Sequence, residues 1–305
     1  MIQPVVRRRN SGGPLNALSF DIEDYFHASA LKDAFGGRGW EQLPSRVVGN
    51  TRKLLDLLDQ ESVKATFFVL GWVAEQFGEL VRDIHARGHE VACHGYSHQL
   101  IYNQTREVFE QETRKAKSLL EDSTGVAVQG YRAASFSVTR RSLWALDVIA
   151  DAGFRYDSSI FPVHHDRYGV PGAPRFPHTA RLTGGRCLLE FPPSTIRVAG
   201  LTLPTGGGGY FRLFPYAYTH YSLQRLNEWE KRPMMFYLHP WEVDTGQPRG
   251  TVSALTRIRH YRNIDQCESR LRRMVREWNF GTVAQVLQAD DPDRRLAFDY
   301  SRGAA

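Results

Sequence analysis

"KATFFVLGWVAEQFGELVRDIHARGHEVAC", residues 64–93, decides the architecture of this chain. Its first seven residues form an apolar run with the length of a buried strand. Val73, Phe77, Leu80, Val81 and Ile84 then recur at the spacing of one helical face, and Gly88 stops the pattern. A second strand run, "HEVAC" (89–93), follows at once. Strand, helix and strand of these lengths make a βαβ unit, whose two strands lie parallel in one sheet.

The same rhythm extends in both directions. "ALSFDIE" (17–23) reads as a strand, and Ser45 is placed to cap a helix with Val48, Thr51, Leu55 and Leu58 on its inner side. A helix is predicted over about 105–121, a strand at "GVAVQGYR" (125–132), a helix over 141–152 and a strand at "GFRYDSS" (153–159). With further runs in "CLLEFPPS" and "MMFYLHP", the expectation is an α/β fold, a distorted (β/α) barrel of about seven strands. Residues 160–215, rich in Pro and Gly, read as an elaborated loop or small β-insertion over the barrel mouth. The domain is expected over 16–290, with a flexible tail at 1–15 and another tail at 291–305.

The 305 residues are 42% hydrophobic and 24% charged, the balance of a soluble globular protein with a sizeable core. A formal net charge of +6 favours an acidic partner. The basic run "RIRHYRNIDQCESRLRRMVREW" alternates with apolar residues as a solvated helix face does, and no nucleic-acid motif accompanies it. Nucleic acid is therefore not expected as a partner. Cys93, Cys187 and Cys267 lie far apart, which argues against a disulfide framework and for a reducing compartment. No apolar run reaches membrane-spanning length, and no hydrophobic segment follows the N-terminal charges; cytoplasmic placement is expected.

In βα architectures the reactive side chains collect at the C-terminal ends of the strands. "FDIEDYF" offers Asp21, Glu23 and Asp24 there, and on an extended strand Asp21 and Glu23 point to one side. "CHGYSH" offers His94 and His98, whose i, i+4 spacing puts two imidazoles on one side of a helical turn, as in helical zinc sites. The pair alone is a weak signal and fits surface histidines better. With a carboxylate from another strand end it becomes a two-His, one-carboxylate site with open positions for water. Arg132 in "GYRAASFS", Asp157 in "FRYDSS" and His239 in "FYLHPWEVD" are further strand-end candidates; as ordinary structure they would be a surface arginine, a helix cap and a packed imidazole.

Together "SFDIED", "HGYSH", "YRAASFS", "RYDSS" and "FYLHPWE" resemble, in order, the motifs of the polysaccharide deacetylase family (carbohydrate esterase family 4, the NodB-homology fold), over about residues 17–285. "FDIEDYF", "GGGYFRL" and "HPWE" look most like the subgroup of exosortase-associated exopolysaccharide loci. The resemblance implies a distorted barrel, a divalent metal, usually Zn2+, and removal of N-acetyl groups from amino sugars of a polysaccharide by metal-bound water. It implies Asp21 as general base and His239 as general acid, with Arg132 orienting Asp21 and Asp157 orienting His239. His94 and His98 would be metal ligands. Many relatives carry two adjacent aspartates in the first motif where this chain has Asp21 and Ile22. By the Asp-x-Asp variant Glu23 is the third ligand, with Asp24 as the alternative.

Sugar rings stack on aromatic side chains, so Tyr25, Tyr210, Phe211 and Trp241 are candidates for substrate binding. Phe136 fits the barrel-top core better. Arg212 could meet a sugar hydroxyl or an acidic group. Two other functions fit the same fold: a hydrolase of small cyclic amides or ureides, as in allantoinase-like relatives, and an inactive glycan-binding barrel.

Overall fold

The computed structural model describes residues 13–35, 39–165, 167–290 and 295–301. Its strands, in chain order, are β1 (Asn16–Ile22), β2 (Thr66–Val69), β3 (Glu90–Cys93), β4 (Gly130–Tyr131), β5 (Tyr156–Asp157), β6 (His178–Arg181), β7 (Cys187–Glu190), β8 (Thr195–Val198), β9 (Leu201–Pro204), β10 (Met235–Leu238), β11 (Phe280–Gly281) and β12 (Leu296–Asp299). The main sheet runs β10-β1-β2-β3-β4-β5-β7-β6-β12, with β11 also on β1. From β10 to β7 every neighbouring pair is parallel. This seven-strand stretch is the expected α/β architecture.

The opening βαβ unit forms as read, with one difference. Phe77 leaves helical geometry at φ −135°, ψ 48°, so the predicted helix is two, Gly71–Gln76 and Gly78–Ala86. Gly88 takes φ 74°, a conformation that costs glycine little, and the chain turns into β3 there. β1 is buried along its whole length, as a strand covered on both faces must be. β4 and β5 are only two residues each, far shorter than the runs that suggested them. Strands this short reach their neighbours chiefly at the residues that carry Arg132 and Asp157 to the strand ends.

The gap between β7 and β10 is closed irregularly. Ser194 bonds the Met235 backbone, its Oγ accepting from Met235 N at 2.7 Å, and Tyr237 N donates to the Gly206 carbonyl at 2.7 Å. A side chain at Gly206 would place its Cβ 2.2 Å from the Met235 carbonyl oxygen, so only glycine passes here. The stretch 160–215, expected as an elaborated loop or small β-insertion with a strand at "CLLEFPPS", contains regular β-structure. It supplies β7 to the parallel sheet, β6 antiparallel beside it, and a β8–β9 hairpin. The expected tail at 291–305 likewise contains β12, paired with β6; residues 291–294 and 302–305 of that call lie outside the described residues, as do 1–12 of the N-terminal tail.

Asp157 and Glu190 stand opposite one another in the β5–β7 register, both without exposed surface. Burial of two adjacent carboxyls raises the pKa of both. The folded state therefore holds a proton that the unfolded chain gives up near pH 4. This stabilising contribution is full below about pH 4 and is lost as the pH rises through the raised value. Glu190→Gln removes one titrating group and keeps a donor. Its urea midpoint should vary less than that of the unsubstituted protein between about pH 4 and 8; equal slopes would refute the shared proton.

Candidate metal and acid–base site

β1 carries Asp21 at its penultimate position and Glu23 just past its end, and both side chains are buried. Arg132, one residue beyond β4, has no exposed surface. Its Nη1 donates to Asp21 Oδ1 at 2.6 Å and Ser19 Oγ at 2.9 Å, and its Nη2 to Ser158 Oγ at 3.0 Å. The guanidinium also lies 4.0 Å over the Phe68 ring. The arginine anticipated beside Asp21 is there, as an interior ion pair.

His94 and His98 meet by a different route from the one their spacing suggested. Residues 94–98 are a loop after β3, not a helical turn. Left-handed conformations at Gly95 (φ 75°) and His98 (φ 51°) fold it back, which brings the two ring centroids to 5.5 Å. His94 Nδ1 donates to the Arg132 carbonyl at 2.8 Å, which fixes the tautomer and leaves the Nε2 lone pair free. Burial pushes the His94 pKa down to about 4, so the ring is neutral at pH 7.

One donor atom from each of Glu23, His94 and His98 lies within 4.8 Å of the other two. Glu23 Oε2 is 2.6 Å from His98 Nε2 yet makes no well-aligned hydrogen bond. Burial alone would raise the Glu23 pKa, but His98, His239 and His94 outweigh it and hold the group well below the usual carboxylate range. An anionic oxygen beside two imidazole nitrogens, in a buried space, is a donor set that fits a divalent cation with open coordination positions.

Asp24, the alternative carboxylate, is used elsewhere. Its oxygens accept from Tyr25 N, Ser45 Oγ, Arg46 N and Val47 N at 3.0, 2.6, 2.8 and 3.1 Å. It thus satisfies the orphan N–H groups that begin the helix Val47–Gln60. The cap anticipated from Ser45 is supplied by Asp24 across the loop, and Ser45 itself bonds Asp24.

His239 follows β10 directly, with Nε2 3.7 Å from Glu23 Oε1 and 3.9 Å from Asp21 Oδ2. Burial opposes its charge, but Glu23, Glu242 and Asp21 prevail and raise its pKa to about 9. Its Nδ1 donates to Glu242 Oε1 at 2.8 Å. The partner expected for it, Asp157, does not touch it: Asp157 accepts from Ser159 Oγ and N at 2.6 and 3.0 Å and faces Glu190. The correction has a local cause, since Pro240 starts a short 3-10 helix and its third residue, Glu242, reaches back to the backbone N and the Nδ1 of His239.

Four of the five residues expected at a sugar surface are interior. Arg212 is an ion pair with Glu242, Nε to Oε2 at 2.6 Å. Tyr25 is buried with its ring 5.1 Å from those of Phe26 and Phe35. Trp241 lies between the rings of His239 and His260, at 4.7 and 4.4 Å, and its Nε1 donates to Glu23 Oε1 at 3.0 Å. Its faces are already occupied. Tyr210 is half-buried, with its ring stacked 6.2 Å from Phe214. Phe136 and Phe211 are buried in the core.

The sequence reading passed over Ser19, Ser158, His260 and Glu242. Glu242 alone had a signal, a carboxylate three residues after a strand-end residue and two after a proline, the spacing of a capping box.

Residues 39–156 match the family model for polysaccharide deacetylase, and residues 158–288 match a domain of unknown function (DUF3473). The chitooligosaccharide deacetylase of Rhizobium leguminosarum bv. trifolii is 34% identical over 159 residues, covering 50% of this chain and 71% of that protein. The peptidoglycan deacetylase of Helicobacter pylori is 33% identical over 114 residues, 37% of each chain. The chain spans about a third of the length of this and of the Bacillus cereus peptidoglycan-N-acetylglucosamine deacetylase. Among solved structures, a Mycobacterium smegmatis protein assigned to the polysaccharide deacetylases superposes with a TM-score of 0.59 at 22% identity, over 95% of this chain and 92% of that one. An allantoinase gives the same TM-score at 12% identity, over 95% and 93%; both likenesses show a shared fold. On the Rhizobium match and the family model, this chain belongs to the polysaccharide deacetylase family.

Proposed function

We propose that this chain is a metal-dependent N-deacetylase that hydrolyses the N-acetyl groups of amino sugars in a bacterial exopolysaccharide of the exosortase-associated kind. The observation that carries the reading is the convergence of three groupings from different strand ends: the Glu23–His94–His98 donor set, the Arg132–Asp21 ion pair and the His239 ring held by Glu242. Support for an amide of an amino sugar comes from the relatives, named as deacetylases of chitooligosaccharide and peptidoglycan. The catalytic unit in this reading is 16–290. Cytoplasmic placement is part of it and accords with three unpaired cysteines; no helix among the described residues is long and apolar enough to cross a membrane.

Glu23, His94 and His98 would hold the cation, and the mixed nitrogen and oxygen donors favour Zn2+ among common ions. Bound there, a divalent ion supplies Lewis acidity that polarises an amide carbonyl and eases ionisation of water. Asp21 accepts the proton of the attacking water, and Arg132 fixes which oxygen faces it by binding the other. His239 delivers a proton from Nε2 to the departing amine, while Glu242 holds Nδ1. A base and an acid within reach of one amide are what its cleavage requires, because the amine is a poor leaving group until protonated. Tyr210 is assigned to the sugar, being the half-buried member of the aromatic candidates.

Metal analysis should find one divalent ion per chain, and His94→Ala or His98→Ala should abolish both the metal and acetate release from N-acetylhexosamine oligomers. Asp21→Asn and His239→Ala should keep the metal and lower turnover at least about 100-fold. Near-normal turnover in either, or ring opening of cyclic imides without acetate release, would overturn the assignment. Arg132→Ala leaves Asp21 buried without its partner; urea denaturation should show a loss of about 3–5 kcal/mol, and an unchanged midpoint would mean that the pair is not what keeps Asp21 inside.

A further inference from the structure

We infer that Arg212 and Glu242 are a positioning pair for His239, so that the segment 158–288 furnishes the proton-delivering half of the site. The inference deepens the deacetylase reading and rests on it for the role of His239.

Glu242 has no exposed surface. Its Oε1 accepts both His239 Nδ1 at 2.8 Å and His239 N at 3.2 Å, so one oxygen holds ring and backbone of the same residue. Its Oε2 accepts Arg212 Nε at 2.6 Å. Arg212 is itself held by a ring of carbonyls: Nη1 donates to His260 O at 2.7 Å and Arg262 O at 3.1 Å, and Nη2 to Arg259 O at 3.2 Å. Its own carbonyl accepts from Asn263 Nδ2 at 2.7 Å. A guanidinium anchored on so many sides cannot swing, and the planar fork transmits its orientation to the carboxylate. The same turn puts His260 against the outer face of Trp241, whose inner face lies on His239.

One member of the glycine run "TGGGGYF" (205–211), Gly208, has its explanation here. A Cβ on Gly208 would fall 2.0 Å from Glu242 Oε1, so the chain can approach the carboxylate this closely only without a side chain. Asp157, the other acid near the strand ends, is committed to Ser159 and to Glu190 and makes no contact that could orient His239. Asp21 and Glu23 precede both matched segments; His94, His98 and Arg132 lie within 39–156, while His239, Glu242 and Arg212 all lie within 158–288.

The test compares metal-loaded wild type with Glu242→Gln, Arg212→Met and the double variant, each checked for full metal content and an unchanged far-UV spectrum. On an N-acetylated chitooligosaccharide, each single variant should lose about 100-fold in kcat, the scale of a reacting group set about 1 Å out of place, with KM changed less than about twofold. The double variant should lose no more than the worse single one, since both act through one imidazole. Independently of turnover, the downfield proton-NMR signal of His239 Nδ1–H, assigned by its loss in His239→Ala, should move or vanish in Glu242→Gln. Wild-type kcat in Glu242→Gln, or an unmoved signal, overturns the pairing. If wild type releases no acetate but the signal responds, the positioning stands and the deacetylase reading falls.

Discussion

Arg132 and Asp21 form an ion pair in a place where neither charge could remain alone. Each is buried at the C-terminal end of its strand, and removing water from an ion costs several kcal/mol even after relaxation. The attraction between them offsets that cost only because the geometry is good and the remaining polar atoms find partners in Ser19 and Ser158. The pair consequently ties β1 to β4 and β5 at their C-terminal ends. Its carbonyl extends the constraint to β3, since the Arg132 backbone oxygen accepts the His94 Nδ1 proton and turns that ring's other nitrogen toward Glu23.

Charge balance explains the rest of the site. Asp21, Glu23 and Glu242 bring three carboxylates into a small buried volume, and two of them are compensated by arginines from different parts of the chain. Glu23 is the exception, because its neighbours are His98, His239 and the Trp241 indole N–H. An anion paired chiefly with imidazoles keeps both a cation site and a protonated histidine within a few ångströms. Asp24, next in sequence, has the opposite fate: four donors around a helix start consume its lone pairs.

The parts of this arrangement legible in the residues were those with short-range causes. The 64–93 unit showed its strands and helix through periodicity, and Gly88 marked a turn that needs positive φ. Asp21 and Glu23 declared a common side through strand alternation. The failures have causes of the same physical kind. His94 and His98 carried a helical spacing, but a glycine between them permitted a loop that converges the rings equally well. Arg212 and Trp241 looked like surface recognition groups, because a polar or amphipathic side chain says nothing of the partner that lets it be buried.

By itself the sequence determined the succession of strands and helices, the strand ends at which acids, histidines and an arginine gather, and the family motifs they compose. Those depend on local periodicity, on backbone alternation and on residue type. The tertiary structure alone decided which of two adjacent carboxylates faces the histidines and which acid holds His239. It alone decided that β6 lies antiparallel beside the β7 strand that "CLLEFPPS" had signalled. The first two are choices among partners far apart in the chain, settled by the burial of charge: a carboxylate goes where its lone pairs are met, and only the folded chain brings the donors together.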